Sequence, residues 1–221
     1  KPFTGSTGTV ANPGDKGSRL IQVSPTQRVA DSHSGFDVFM NIPEGNGMFA
    51  TAATSTNAGS ASINVGTIVD RGAWVPGAYT VTFTTPTTWE ITPSTPPATG
   101  TYVSGSPIDF NGARIEITGE PAAGDTFTIH QSGAESIFDT LDGIIGVLNQ
   151  PAGSPAQNAQ LKTVLESSLQ QMDQAADHFL SIRAQVGARL SMLEAADGAR
   201  ASRDLDVASS LSELRALDYA Q

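Results

Sequence analysis

Leu161-Lys162-Thr163-Val164-Leu165-Glu166-Ser167-Ser168-Leu169-Gln170-Gln171-Met172 opens the pattern that decides the fold. Apolar residues continue at Ala176, Phe179, Ile182, Val186, Leu190, Leu193 and Ala196, in steps of three or four. Such steps bring side chains back to one helical face each turn, so they predict one long helix from about Ala156 with a seam of roughly coiled-coil spacing. The seam weakens through Asp197-Gly198-Ala199-Arg200-Ala201-Ser202-Arg203-Asp204 and resumes at Val207, Leu211, Leu214 and Leu217. Gly187 and Gly198 lie inside it, each costing about 1 kcal/mol relative to Ala. About 65 residues at roughly 1.5 Å each would extend on the order of 90 to 100 Å, more than a compact domain of this size spans. The helix must therefore lie against other helices. The pattern reaches Gln221 with no C-cap Gly or Pro, so we expect a fragment, or partners supplied by other chains.

Upstream the chain offers one short helical partner. Ile137, Phe138, Leu141, Ile144, Ile145 and Leu148 fall at helical spacing after Ser136, predicting an amphipathic helix to about Leu148. Pro151, Gly153 and Pro155 break it. The residues change character near Gly133: before it, Gly, Pro, Thr and Ser punctuate short apolar runs. Strands are expected at Arg19–Val23, Asp37–Met40, Ala61–Val65, Tyr79–Thr84, Trp89–Thr92, Ile108–Phe110, Ala113–Ile117 and Thr126–His130, where β-prone residues alternate with polar ones. Asn111-Gly112 has the residues of a two-residue hairpin turn, since both central positions of a type I′ turn need positive φ. The stretch 50–105, rich in Thr, Ser, Ala and Pro, reads as a variable insertion or subdomain. The fold class expected is α+β: a β-rich outer domain over 1–132, then a helical arm over 133–221 with a short helix and one very long helix.

Charge and composition exclude several functions. The 221 residues carry a formal net charge of -10, a field that repels phosphate backbones and anionic lipid. With no cysteine, thiolate nucleophiles, disulfides and Cys-based zinc sites are excluded. No run of about 18 apolar residues is present, nor the regions of a signal peptide after Lys1. His33, His130 and His178 are scattered and form no His-x-x-x-His or Glu-x-x-His ligand pair, so they read as surface or hydrogen-bonded histidines. Asp204 and Asp206 point apart on a helix, and Asp139 and Asp142 more simply complement a helix N-terminus. No nucleophile elbow, phosphate loop or dinucleotide fingerprint occurs. Trp74 and Trp89 would suit a carbohydrate-stacking platform or, more simply, core or edge packing.

Several segments resemble the flagellin superfamily, and within it the hook-filament junction proteins. Ser181-Ile182-Arg183-Ala184-Gln185-Val186-Gly187-Ala188-Arg189-Leu190 is similar to the family's Arg-Ala-x-hydrophobic-Gly stretch. Leu211-Ser212-Glu213-Leu214-Arg215-Ala216-Leu217-Asp218-Tyr219-Ala220 resembles its later segment ending Asp-Tyr-Ala. Lys1-Pro2-Phe3, Gly14–Arg19 and Asp37–Met40 look like the family's β region, and Gly124-Asp125-Thr126-Phe127-Thr128-Ile129 like the strand before its returning helix. Most of the chain outside 50–105 is covered.

The resemblance implies a structural, non-enzymatic flagellar component with no cofactor and no metal. Its partners would be further copies, neighbouring hook-associated, hook and filament proteins, and an export chaperone, with neither nucleic acid nor membrane. It would lie outside the cell on the flagellum, exported without a cleavable signal peptide. Arg183, Gly187, Arg189, Asp218 and Tyr219 are the residues singled out for assembly. The arginines could make charge-assisted bonds to neighbouring subunits, and Gly187 could admit a close helix. Equally open is that Arg183 pairs within its own chain and Gly187 relieves intramolecular crowding. The alternative from another class is a carbohydrate- or host-binding β module on a helical stalk.

Overall fold

The computed structural model describes residues 4–6, 9–11, 14–94, 98–149 and 153–218. In chain order the first elements are β1 (Thr4–Ser6), β2 (Thr9–Ala11), β3 (Leu20–Ser24), β4 (Gln27–Ala30), α1 (Gly35–Phe39), β5 (Ile42–Pro43) and β6 (Phe49–Ala53). Then come β7 (Ser62–Ile63), β8 (Thr67–Ile68), β9 (Tyr79–Thr85), β10 (Thr88–Thr92), β11 (Ala98–Thr101) and β12 (Pro107–Phe110). The last are β13 (Ala113–Thr118), β14 (Thr126–Gln131), β15 (Ala134–Glu135), α2 (Ile137–Leu148) and α3 (Pro155–Asp218). This is the mixed α+β class expected, a β-rich part followed by a short helix and a very long one.

The elements form two compact units. One comprises Lys1–Gly14 and Gly35–His178, the other Asp15–Ser34 and Phe179–Gln221. In the first unit an antiparallel sheet in the order β11-β10-β9-β14-β6 and a smaller one in the order β12-β13-β7, with β8 beside β13, share one core. Alternation accounts for it. Tyr79, Val81 and Phe83 of β9 turn inward between half-buried threonines, as do Ala113, Ile115 and Ile117 of β13 and Phe127 and Ile129 of β14, because successive strand residues face opposite sides. Ring contacts link Phe49 to Trp74 at 5.2 Å, Tyr79 to Phe110 at 5.3 Å and Phe83 to Tyr102 at 5.1 Å. The stretch 50–105 supplies β7 to β11 and most of β6, and with them much of this core.

The hairpin at Asn111-Gly112 forms as its residues predict, with φ of 44° and 80°. Gly112 is held to glycine twice over, since a Cβ there would also meet the Asp70 carbonyl oxygen at 2.2 Å. One expectation fails. Asp37–Phe39, read as strand, belongs to the one-turn helix α1. Phe36 and Phe39 sit one turn apart, the Met40 amide donates to the Phe36 carbonyl at 2.9 Å, and Phe39 meets the Phe138 ring at 6.2 Å. That packing outweighs the two-residue alternation, as tertiary contacts commonly do over so short a run.

Helix ends are set by side chains. Ser136 caps α2 by accepting from the Phe138 amide at 3.2 Å. At α3, Ser154 accepts from the Gln157 amide at 3.2 Å while Gln157 accepts from the Ser154 amide at 3.0 Å. This is a reciprocal capping box with Pro155 at the first helical position. The second unit holds the antiparallel hairpin β3-β4, with Val23 and Val29 buried, and the helix beyond His178.

Candidate assembly surface

The first part of α3 packs on the β sandwich with a polar, small-residue face. Ala159, Thr163, Ser168, Gln171 and Ala175 are the buried positions. Gln171 accepts from the Gly45 amide at 3.1 Å and donates to the Pro43 carbonyl at 3.3 Å. Thr163 accepts from the Ile63 amide at 3.3 Å, and the His178 imidazole lies 2.6 Å from the Asp37 carbonyl oxygen. The leucine seam is turned elsewhere: Leu169 is 68% exposed and Met172 37%. On α2, Leu141, Ile145 and Leu148 are exposed too.

Within the second unit the same holds more fully. From Phe179 to Ala216 no described residue of α3 is buried. Val186, Leu190, Leu193, Val207, Leu211 and Leu214, all seam positions, are exposed. The hairpin is tied to the helix locally by Arg200, which donates to the Val23 carbonyl, and by Arg189, which donates to the Ser32 carbonyl at 3.5 Å. Val23, Pro25, Ala195, Ala196 and Ala199 line the groove beside them. Each exposed large apolar side chain would gain about 1.5 to 3 kcal/mol on full burial, so this surface favours association strongly.

Arg183 is exposed and makes no hydrogen bond or ion pair among the described residues. Gly187 is exposed, and a Cβ built there meets nothing within 4 Å, so no crowding within the described chain explains it. Arg189 has its bond to Ser32. Asp218 is the last residue of α3, and Tyr219 lies outside the described residues. The structure brings Arg183, Gly187 and Arg189 onto one helical segment. Sequence reasoning missed the polar docking face, although its signal was present in the recurrence of Thr163, Ser167, Gln171 and His178 at steps of four and seven.

Among the described residues no group of three or more His, Asp or Glu side chains could hold a metal ion. His130 pairs with Glu44 at 3.1 Å, and Glu135 accepts from the Thr140 hydroxyl at 3.3 Å. Burial, and then the Glu44 carboxylate, push the Glu135 carboxyl above its ordinary value. Trp74 is buried against Phe49 and Tyr79, which leaves no open ring face for a sugar. Trp89 lies over Gly100, where a Cβ would come within 2.5 Å of the indole.

A β sandwich followed by a long helix whose apolar seam is uncovered along its described length defines a structural assembly component. No family model and no curated protein matches the chain. Solved structures do. The chain is similar to FlgL of Xanthomonas campestris, with 34% identity and a TM-score of 0.85 over 96% of this chain and 70% of that one. It is similar to the flagellar junction protein FlgL of Legionella pneumophila, with 35% identity and a TM-score of 0.82 over 95% and 69%. It is similar also to flagellar hook-associated protein-3 of Legionella pneumophila, with 34% identity and a TM-score of 0.86 over 98% and 70%. The chain belongs to the FlgL family of flagellar hook-filament junction proteins.

Proposed function

We propose that the chain is a non-enzymatic adaptor that joins the flagellar hook to the filament by helical packing in a tubular assembly. The observation that carries this reading is the uncovered seam of α3, from Leu169 to Leu214, which requires helices from neighbouring subunits or from further parts of the same protein. Domain roles follow: the β-rich part over 1–132, with 50–105 as its variable portion, faces outward, and 133–221 forms a helical arm of a flagellin-like rod. Partners are further copies of the chain and the adjoining hook-associated, hook and filament proteins, with an export chaperone before assembly. The site of action is the extracellular flagellum, reached without a cleavable signal peptide.

Arg183, Gly187, Arg189, Asp218 and Tyr219 are the proposed contact residues. The open space at Gly187 supports close approach of a second helix, and the unpaired Arg183 supports a charge-assisted bond to a neighbour. The test is co-assembly of the protein, produced from its native gene, with purified hook and filament proteins. We expect Arg183→Ala to lower incorporation several-fold while leaving helix content unchanged. Incorporation equal to wild type would remove Arg183 from the contact set.

A further inference from the structure

One polar cavity of the first unit has no part in that role. It measures about 210 Å³ and lies where the polar face of α3 meets the sandwich, lined among others by Glu44, His130, Glu135, Asp139, Ser168 and Gln171. Three carboxyl groups thus share one wall with a single imidazole, whose Nε2 lies 3.1 and 3.2 Å from the two Glu44 carboxylate oxygens. From α3 the lining residues are Val164, Ser167, Ser168 and Gln171, and from β6 they are Ala50, Thr51 and Ala52. None of these is charged, so nothing but His130 offsets the carboxylates. Ser168 is 7% exposed, and its hydroxyl has no partner among the described residues. His130 and Glu44 are partly exposed, so the cavity exchanges protons with solvent.

Gln171 and Thr163 hold α3 by hydrogen bonds in place of a buried leucine face. Glu135 also roots α2, because β15 pairs with β5 and Thr140 bonds to the Glu135 carboxylate.

We infer that this cavity is a proton-operated latch between α3 and the β sandwich. With Glu135 protonated, its carboxyl does not repel the Glu44 carboxylate beside it. As Glu135 loses its proton it repels Glu44, whose neighbour Gly45 supplies the amide that Gln171 accepts, so the docking of α3 at Gln171 loosens. The sign follows from linkage. The Glu135 carboxyl titrates above its ordinary 4.5, so its favourable contribution is complete below that value and is lost as pH rises through the raised one.

Hydrogen exchange in the full chain tests this, read at the Gly45 amide that donates to Gln171 and the Ile63 amide that donates to Thr163. Protection factors, corrected for intrinsic exchange, are expected to fall several-fold as pH rises from about 4.5 to about 8. Glu135→Gln should reduce that fall to less than about twofold, and Glu44→Gln should act in the same direction. Gln171→Ala should lower Gly45 protection at both pH values, showing that this amide reports docking. A flat wild-type profile, a Glu135→Gln profile like wild type, or Gly45 protection unmoved by Gln171→Ala would each overturn the latch.

Discussion

Asp125 gathers three backbone amides that the loops of the sandwich would otherwise leave bare. Its carboxylate accepts from Ala58 at 2.8 Å, Gly59 at 3.1 Å and Ala122 at 2.8 Å, and the residue is 3% exposed. Removing the acceptor strands buried donors, so Asp125→Ala should cost about 2 to 4 kcal/mol in urea unfolding. A loss below about 0.5 kcal/mol would mean that water replaces the side chain without penalty. Gly59 shows how tightly the cradle is drawn, since a Cβ there would meet the Asp125 carboxylate and the Glu120 carbonyl at 2.5 Å. Gln171 plays the corresponding part on α3. Its buried amide spans Gly45 and Pro43, and Gln171→Ala should cost about 1 to 3 kcal/mol, measured the same way.

At the scale of elements, α3 shows what sequence conveys and what it withholds. Its existence, its start near Ala156 and its passage through Gly198 follow from apolar spacing alone, and so does the need for partners. Which face meets the sandwich does not. Spacing marks the leucine seam as the face that wants burial, whereas within the chain the buried side is Thr163, Ser168 and Gln171. A hydrogen-bonding face carries no hydrophobic period, so the apolar pattern passes over it, and only the spaced polar residues Thr163, Ser167, Gln171 and His178 mark it. Short strands such as Ala98–Thr101 and Thr67–Ile68 were illegible for a similar reason, having few apolar residues and depending on neighbours for their pairing. The one-turn helix α1 was lost to an accidental alternation. The proposed contact positions Arg183, Gly187 and Arg189 were found through resemblance, and only the openness around Gly187 is a structural observation. Gly187→Ala and Gly198→Ala should each stabilise the isolated chain by about 0.5 to 1 kcal/mol, read by thermal melting of helix signal. If a neighbouring helix crosses at Gly187, that variant alone should also assemble less well, and equal assembly of both variants would place the crossing elsewhere.

For the molecule as a whole, charge is divided as sharply as composition. The first unit holds 14 Asp and Glu against 4 Lys and Arg, and the second 8 against 8, which accounts for the net -10. Copies brought together will repel through the first unit and not through the second. Assembly of the protein should therefore strengthen as salt rises from about 0.01 M to 0.15 M, where the screening length falls from roughly 30 to 8 Å. Light scattering of the assembling protein measures this, and weakening with salt would mean that ion pairs between subunits dominate instead. In the proposed assembly the uncovered apolar seam would supply the attraction against that repulsion.

The most direct test places a charge on the seam. Leu190→Asp and Leu211→Asp alter exposed positions, so the isolated variant should keep the helix content and unfolding midpoint of wild type. In a flagellated cell carrying only the variant gene, filaments should fail to attach to hooks and swimming should be lost. Wild-type filaments and swimming, with the variant protein present in them, would contradict assembly through this helix.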